Sequence, residues 1–118
     1  NVKNMAHMFS NAKSFNQNIN NWDVSQVENM YLMFYFCKKF NQPLNKWKLD
    51  SIIDMEEMFF NCISFNQSLN DWKIPYDVNT EAMFYDAESL EKKNVIWFDF
   101  DNPKKLEQEN INSDFYDY

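Results

Sequence analysis

Apolar positions along this chain fall into two short patterns, and both return every 25 residues. Met5, Met8, Phe9 and Ala12 are spaced i, i+3, i+4, i+7, which predicts one face of a short helix. The pattern recurs as Met30, Met33, Phe34, Cys37 and as Met55, Met58, Phe59, Cys62. Ser25-Gln26-Val27-Glu28 has capping-box spacing, so a helical turn is expected to start near it. The second pattern, Ile19-x-x-Trp22-x-Val24, returns as Leu44-x-x-Trp47-x-Leu49 and Leu69-x-x-Trp72-x-Ile74. Trp22 and Val24 are two apart, as inward residues of a short strand must be. One short parallel strand and one short helix or helical turn per 25-residue coil predicts an α/β repeat solenoid.

The period is carried by many columns at once. Met8, Met33, Met58 and Met83 keep the 25-residue step, as do Phe9, Phe34, Phe59 and Phe84, and Trp22, Trp47, Trp72 and Trp97. Phe15-Asn16-Gln17 returns as Phe40-Asn41-Gln42 and Phe65-Asn66-Gln67. Stacking coils about 4.8 Å apart sets each Trp and Phe on the next. The fourth copy drifts: Thr80 stands in the first Met column, Leu90 in a Phe column and Glu91-Lys92 in place of Asn-Gln. The expected organisation is residues 1–74 as three repeats, 75–103 as a degenerate fourth repeat acting as a C-terminal cap, and 104–118 as an acidic, aromatic tail. The N-terminal edge has no visible cap, consistent with truncation or with a partner covering it. A chain opening at Asn1 inside a repeat reads as a fragment or processed product, with any targeting segment upstream.

Composition narrows the function classes. The 118 residues carry a net charge of −7 and contain no Gly. Arg is also absent, so the clustered cations and bidentate readers of nucleic acid are missing. Without Gly there is no phosphate-cradling loop or dinucleotide fingerprint. Turns with φ > 0 are expected to fall to Asn. No apolar run is long enough to span a bilayer. A chain poor in Gly, Ala, Arg and Pro but rich in Asn, Lys, Ile, Phe and Tyr also suggests an AT-rich genome.

The unit V-x-N-M-x-x-M-F-x-x-A/C-x-x-F-N-Q-x-I/L-N-x-W-x-V resembles the Met-Phe-Trp repeat of BspA-like surface proteins, including the ~25-residue repeats of mycoplasma surface lipoproteins, a length inside the leucine-rich-repeat range. Residues 2 to about 74 match closely, 75 to 98 loosely, and the tail not at all. The resemblance implies a leucine-rich-repeat-like solenoid, an extracellular, cell-surface or envelope location, and a role in adhesion or protein interaction. Similar repeats in large viruses and protists keep a virion location open.

Several residues invite a chemical reading. Cys37 and Cys62 share a column with Ala12 and Ala87, which favours a packed pair of free thiols over a disulfide. No His or further Cys lies at metal-ligand spacing, so neither metal nor cofactor is expected. His7, the single His, reads as a solvated surface residue, and no nucleophile or acid–base constellation accompanies it; the chain is not read as an enzyme. The columns Asn16, Asn41, Asn66 and Asn20, Asn45, Asn70 read as structural amides bonding coil to coil or satisfying turns. Asp77, Glu81, Asp86 and Glu88 read as a solvated face, because no loop has the alternating carboxylates of a calcium site.

Two surfaces remain as partner-binding candidates. The outward positions beside each Trp change from copy to copy: Asn21 and Asp23, then Lys46 and Lys48, then Asp71 and Lys73. The other is aromatic: Tyr35, Phe60 and Tyr85 share one column, with Tyr31 and Phe36 nearby. The expected function is a surface-exposed repeat protein binding a host or neighbouring envelope or virion protein. The alternative is a structural solenoid that associates end to end or packs into an envelope or virion.

Overall fold

Two β-turns in succession, rather than a helix, bring Met5, Met8, Phe9 and Ala12 to one side of the chain. In this computed structural model, which describes residues 2–101, Met8 N–H donates to Met5 C=O at 3.2 Å and Ala12 N–H to Phe9 C=O at 3.0 Å. The third residue of each turn, His7 and Asn11, has φ of 63°, as a type II turn requires. The same pair of positive-φ positions returns as Leu32 and Phe36, Glu57 and Asn61, and Ala82 and Asp86. Residues i, i+3 of one turn and i, i+3 of the next have the spacing of a helical face, so the apolar pattern is satisfied without helical bonding.

The intervening N–H groups explain why no helix forms. Those of Met5, His7, Phe9 and Asn11 donate to the carbonyls of Asn29, Tyr31, Met33 and Tyr35, at 2.8, 2.9, 2.9 and 2.7 Å. Met30, Leu32, Phe34 and Phe36 donate likewise to Asp54, Glu56, Met58 and Phe60, and Met55, Glu57, Phe59 and Asn61 to Asn79, Glu81, Met83 and Tyr85. Every second N–H therefore leaves its own segment and bonds to the neighbouring copy, where a helix would keep it for the carbonyl four residues back. Each copy thus forms one irregular layer.

The leucine-rich-repeat-like solenoid of strands and helices expected above is therefore corrected. Among the described residues there is no α-helix, no strand and no sheet. The regular elements are one 3₁₀ turn, Lys92–Asn94, and the isolated parallel bridges Asn4↔Asn29, Asn29↔Asp54 and Asp54↔Asn79. The Ile19-x-x-Trp22-x-Val24 segment is not a strand: Trp22 N–H closes a turn onto Ile19 C=O and Val27 N–H one onto Val24 C=O. Nor does the capping-box stretch start a helix; Ser25 instead bonds the Asp23 carboxylate through its backbone N–H and its hydroxyl. The expectation that Asn supplies the φ > 0 positions holds for Asn11 and Asn61, with the related Asp86, but Leu32, Phe36 and Glu57 adopt it too. The tail at 104–118 and the end of the 75–103 segment lie outside the described residues.

The 25-residue period is expressed as packing register. Phe34 stacks on Phe9 at 5.7 Å and on Phe59 at 5.3 Å between ring centroids, and Phe84 follows Phe59 at 5.5 Å. Trp72 lies 6.4 Å from Trp47 and 6.3 Å from Trp97. Within a layer the two apolar segments face each other, Phe9 on Phe15 at 3.9 Å and Phe34 on Phe40 at 4.4 Å. Each buried indole is satisfied by the preceding layer: Trp47 Nε1 donates to Ile19 C=O and Trp72 Nε1 to Leu44 C=O. The result is a compact body with a Cα radius of gyration of 13.5 Å.

The asparagine columns serve this register. Asn16 Oδ1 accepts from Asn41 N–H, Asn41 Oδ1 from Asn66 N–H, and Asn66 Oδ1 from Glu91 N–H. Asn20 donates its amide to Asn45 and accepts from Lys46 N–H. Asn70 reaches Ile96 N–H and Lys93 C=O. These amides bond layer to layer, and none of them takes a positive φ.

Candidate functional site

With Trp and Phe committed to the core, the residues beside them decide what the protein displays. Trp22, Trp47 and Trp72 turn their rings inward toward Phe9, Phe34 and Phe59. The flanking residues Asn21, Asp23, Lys46, Lys48, Asp71 and Lys73 are all exposed. They form one lateral face of mixed charge, with Lys46 Nζ donating to Asn21 Oδ1 at 3.4 Å. The hydroxyl and backbone N–H of Ser25, bonded to Asp23, hold that carboxyl below its ordinary range.

The aromatic candidates sit on the opposed segment, the one that carries the two turns. Tyr35, Phe60 and Tyr85 form a half-buried ridge with centroids 5.1 and 5.0 Å apart. Phe36 joins it, 4.6 Å from Tyr35 and 5.8 Å from Phe60. Tyr31 does not. It belongs to another column, edge-on to His7 at 5.2 Å. The two candidate surfaces thus lie on different sides of the layers and do not form one site.

Next to Tyr31 runs a row of carboxylates. Burial, then the charge of Glu56, Glu57 and Asp54, raises the Tyr31 phenol. Glu57 is itself raised, by partial burial first and then by Glu56 and Glu81. A carboxyl raised on folding adds stability below its unfolded pKa, and that contribution is lost as pH rises through the folded value. Glu57→Gln is therefore expected to raise the melting temperature at neutral pH and to leave it unchanged below the glutamate range. Thermal melts of both proteins across that window check the sign.

The cysteines are framework. Both are free and buried, and each thiol donates to the carbonyl of an inward Phe one layer back: Cys37 to Phe9 and Cys62 to Phe34, both at 2.8 Å. Burial pushes the Cys37 thiol up to about 12 and the Cys62 thiol higher still. Since the thiolate is the reactive form, native protein is expected to resist alkylation and to label at both sites once unfolded. Mass spectrometry after iodoacetamide, with and without denaturant, checks this. Fast native labelling would contradict the packing.

His7 is exposed and occupies a turn. Among the described residues no three His, Cys, Asp or Glu side chains are grouped to hold a metal ion, and no helix is long and apolar enough to cross a membrane. One set of exposed residues escaped the column logic of the sequence. Val2, Met8 and Trp22 are 53%, 46% and 39% exposed, whereas Met33 and Trp47 in the same columns are 0% and 2%. A column says which residues stack, not which of them has a neighbour on both sides.

No curated protein and no solved structure matches the chain. The model of a family described as "Mycoplasma protein of unknown function, DUF285" matches residues 1–97, a span that takes in all four copies of the repeat. The chain belongs to that family, DUF285, whose function is unknown.

Proposed function

We propose that this chain is a surface-displayed, non-catalytic protein-binding module of the BspA-like kind, placed outside the cell or on its envelope. The observation that supports the reading is the division of labour between columns. In the inner layers the apolar columns that repeat identically are buried: Met33 and Met58, Phe34 and Phe59, and Phe40 and Phe65 are each 0% exposed. The two columns flanking Trp change and are displayed: Asn21, Lys46 and Asp71 in one, and Asp23, Lys48 and Lys73 in the other, all exposed. A constant frame carrying a variable face suits recognition of a protein, where charge pattern sets specificity and encounter rate. The ridge of Tyr35, Phe36, Phe60 and Tyr85 supplies rigid aromatic area of the type enriched at binding hot spots.

Screening the chain against an array of extracellular and envelope proteins tests the reading. A specific partner whose binding weakens at least tenfold on Lys46→Glu/Lys48→Glu, or on Phe60→Ser, is the expected result. The alternative is a structural element that packs against copies of itself or its neighbours. Absence of any partner together with concentration-dependent self-association favours that reading instead.

A further inference from the structure

The segment that carries the two turns displays a face of its own. In the inner layers a third turn follows the first two, closed by Phe40 N–H on Cys37 C=O, Phe65 N–H on Cys62 C=O and Leu90 N–H on Ala87 C=O. Each turn shows its two middle residues to solvent, and of those in the second to fourth layers only Ala82 is buried. The central turn of the three carries the aromatic ridge, running from Tyr35 to Phe60 to Tyr85 in steps of 5.1 and 5.0 Å.

What flanks the ridge changes from layer to layer. In the second layer the outer turns show Tyr31 and Leu32 on one side and Lys38 and Lys39 on the other. In the third and fourth layers they show Glu56, Glu57 and Glu81 on the first side and Glu88 on the other, with Asp86 beside Tyr85. None of the displayed turn positions in those two layers is a lysine; Lys73, Lys92 and Lys93 belong to the opposed, Trp-bearing segment. Burial first, and then neighbouring acids, raises both Glu57 and the Tyr31 phenol. The field over this half of the face is negative.

We propose that this face docks a basic segment of another protein, with Arg or Lys side chains laid along the ridge and their charged heads among the carboxylates. The inference rests on the protein-binding reading above and names the chemistry of the partner at one of its two surfaces. Rings and carboxylates together select this occupant. A purely apolar partner would desolvate Glu56, Glu57 and Glu81 without compensation. A bare metal ion finds no group of three ligating side chains among the described residues. A guanidinium uses both features, since its plane stacks on a ring while its N–H fork meets a carboxylate. Its aliphatic stem covers the rest of the aromatic surface. In an extended segment alternate side chains lie on one side, about 6.8 Å apart. Two basic residues at alternate positions therefore fit along a ridge that is two layer steps long.

Titration of the isotopically labelled chain with a short peptide alternating Arg and Ser, followed by its amide shifts, is the experiment. The expected result is saturable movement at Glu57, Phe60, Asn61 and Tyr85, with Lys46 and Lys48 on the other face unmoved. A peptide with Glu in place of Arg is expected to bind about tenfold more weakly or not at all. Glu57→Gln, which holds or raises stability at neutral pH, weakens the Arg peptide about two- to fivefold. Asp50→Asn removes the same charge from an exposed position outside the face and leaves the affinity unchanged. That pair separates local contact from the general pull of a net charge of −7. Phe60→Leu keeps an apolar side chain but loses the ring, and costs about two- to fivefold. Equal affinity for the Arg and Glu peptides, equal losses at Glu57 and Asp50, or wild-type binding by Phe60→Leu overturns the proposal. So does an Arg peptide that leaves the ridge unmoved; if a partner from the protein array is then held through Lys46 and Lys48, the protein-binding reading stands without this inference.

Discussion

Trp47→Ala is expected to destabilise the protein by about 3–5 kcal/mol, the range for emptying a fully packed aromatic site. The same change at Trp22 should cost only about 1–2 kcal/mol in dilute solution, because part of that ring never leaves water. Trp47 is 2% exposed, sandwiched by stacking on Trp72 and Phe34, and its indole donates to Ile19 C=O at 3.0 Å. Trp47→Phe separates the two contributions. It keeps most of the ring but loses the indole donor, at about 0.5–1.5 kcal/mol, since Ile19 C=O still accepts from Trp22 N–H. Urea titrations of the three variants check that Trp47→Ala costs the most. Equal losses at Trp47 and Trp22 would mean that the layers do not cover one another in 25-residue register.

The second large effect is at Leu32, where the sign carries the information. Were this segment helical, Leu32→Gly would cost about 1 kcal/mol. Leu32 instead has φ of 55°, a region that disfavours any side chain by about 1–2 kcal/mol. Gly is therefore expected to hold or raise stability, after offsetting its larger entropy in the unfolded chain. Leu32→Pro should lower it by about 3 kcal/mol or more, since Pro fixes φ near −65° and removes the N–H that donates to Glu56 C=O at 3.0 Å. Glu57, with φ of 53° and its N–H on Glu81 C=O at 2.9 Å, is expected to give the same pair of signs. Chemical denaturation of the Gly and Pro variants at both positions decides between turn and helix.

These residues also mark how far the sequence could be read. The columns were legible, because an identical side chain every 25 residues is a statement about neighbours that holds whatever the backbone does. Phe9, Phe34, Phe59 and Phe84 stack in that order. The backbone was not legible from the same residues. Met5, Met8, Phe9 and Ala12 reach the core equally well from a helix or from two turns, and what decides is where the N–H groups of His7 and Phe9 go. Those bonds run to Tyr31 and Met33, a tertiary choice invisible in a local pattern. Trp22 and Val24 are likewise inward and two apart without a strand, because turns close at Ile19–Trp22 and Val24–Val27. The absence of Gly hid the turns further, since positive φ at Leu32, Phe36 and Glu57 has no sequence signature.

For the candidate surfaces, display was readable and chemistry was not. Alternation beside Trp placed Asn21, Lys46 and Asp71 outside the core, and they are exposed. Tyr31 looked close to the Tyr35 column in sequence, but a turn separates the two and leaves it beside His7 and the carboxylates of Glu56 and Glu57. The exposure of Met8 and Trp22 could not be seen in columns that mark both residues as core.

The most direct test of the layered register is the measurement of scalar couplings across hydrogen bonds in isotopically labelled protein. The structure requires them from Phe9 N to the Met33 carbonyl, from Phe34 N to Met58 and from Phe59 N to Met83, each spanning 24 residues at 2.9 Å between donor and acceptor. Couplings from Phe34 N to Met30 instead, the bond of an α-helix, would contradict the account.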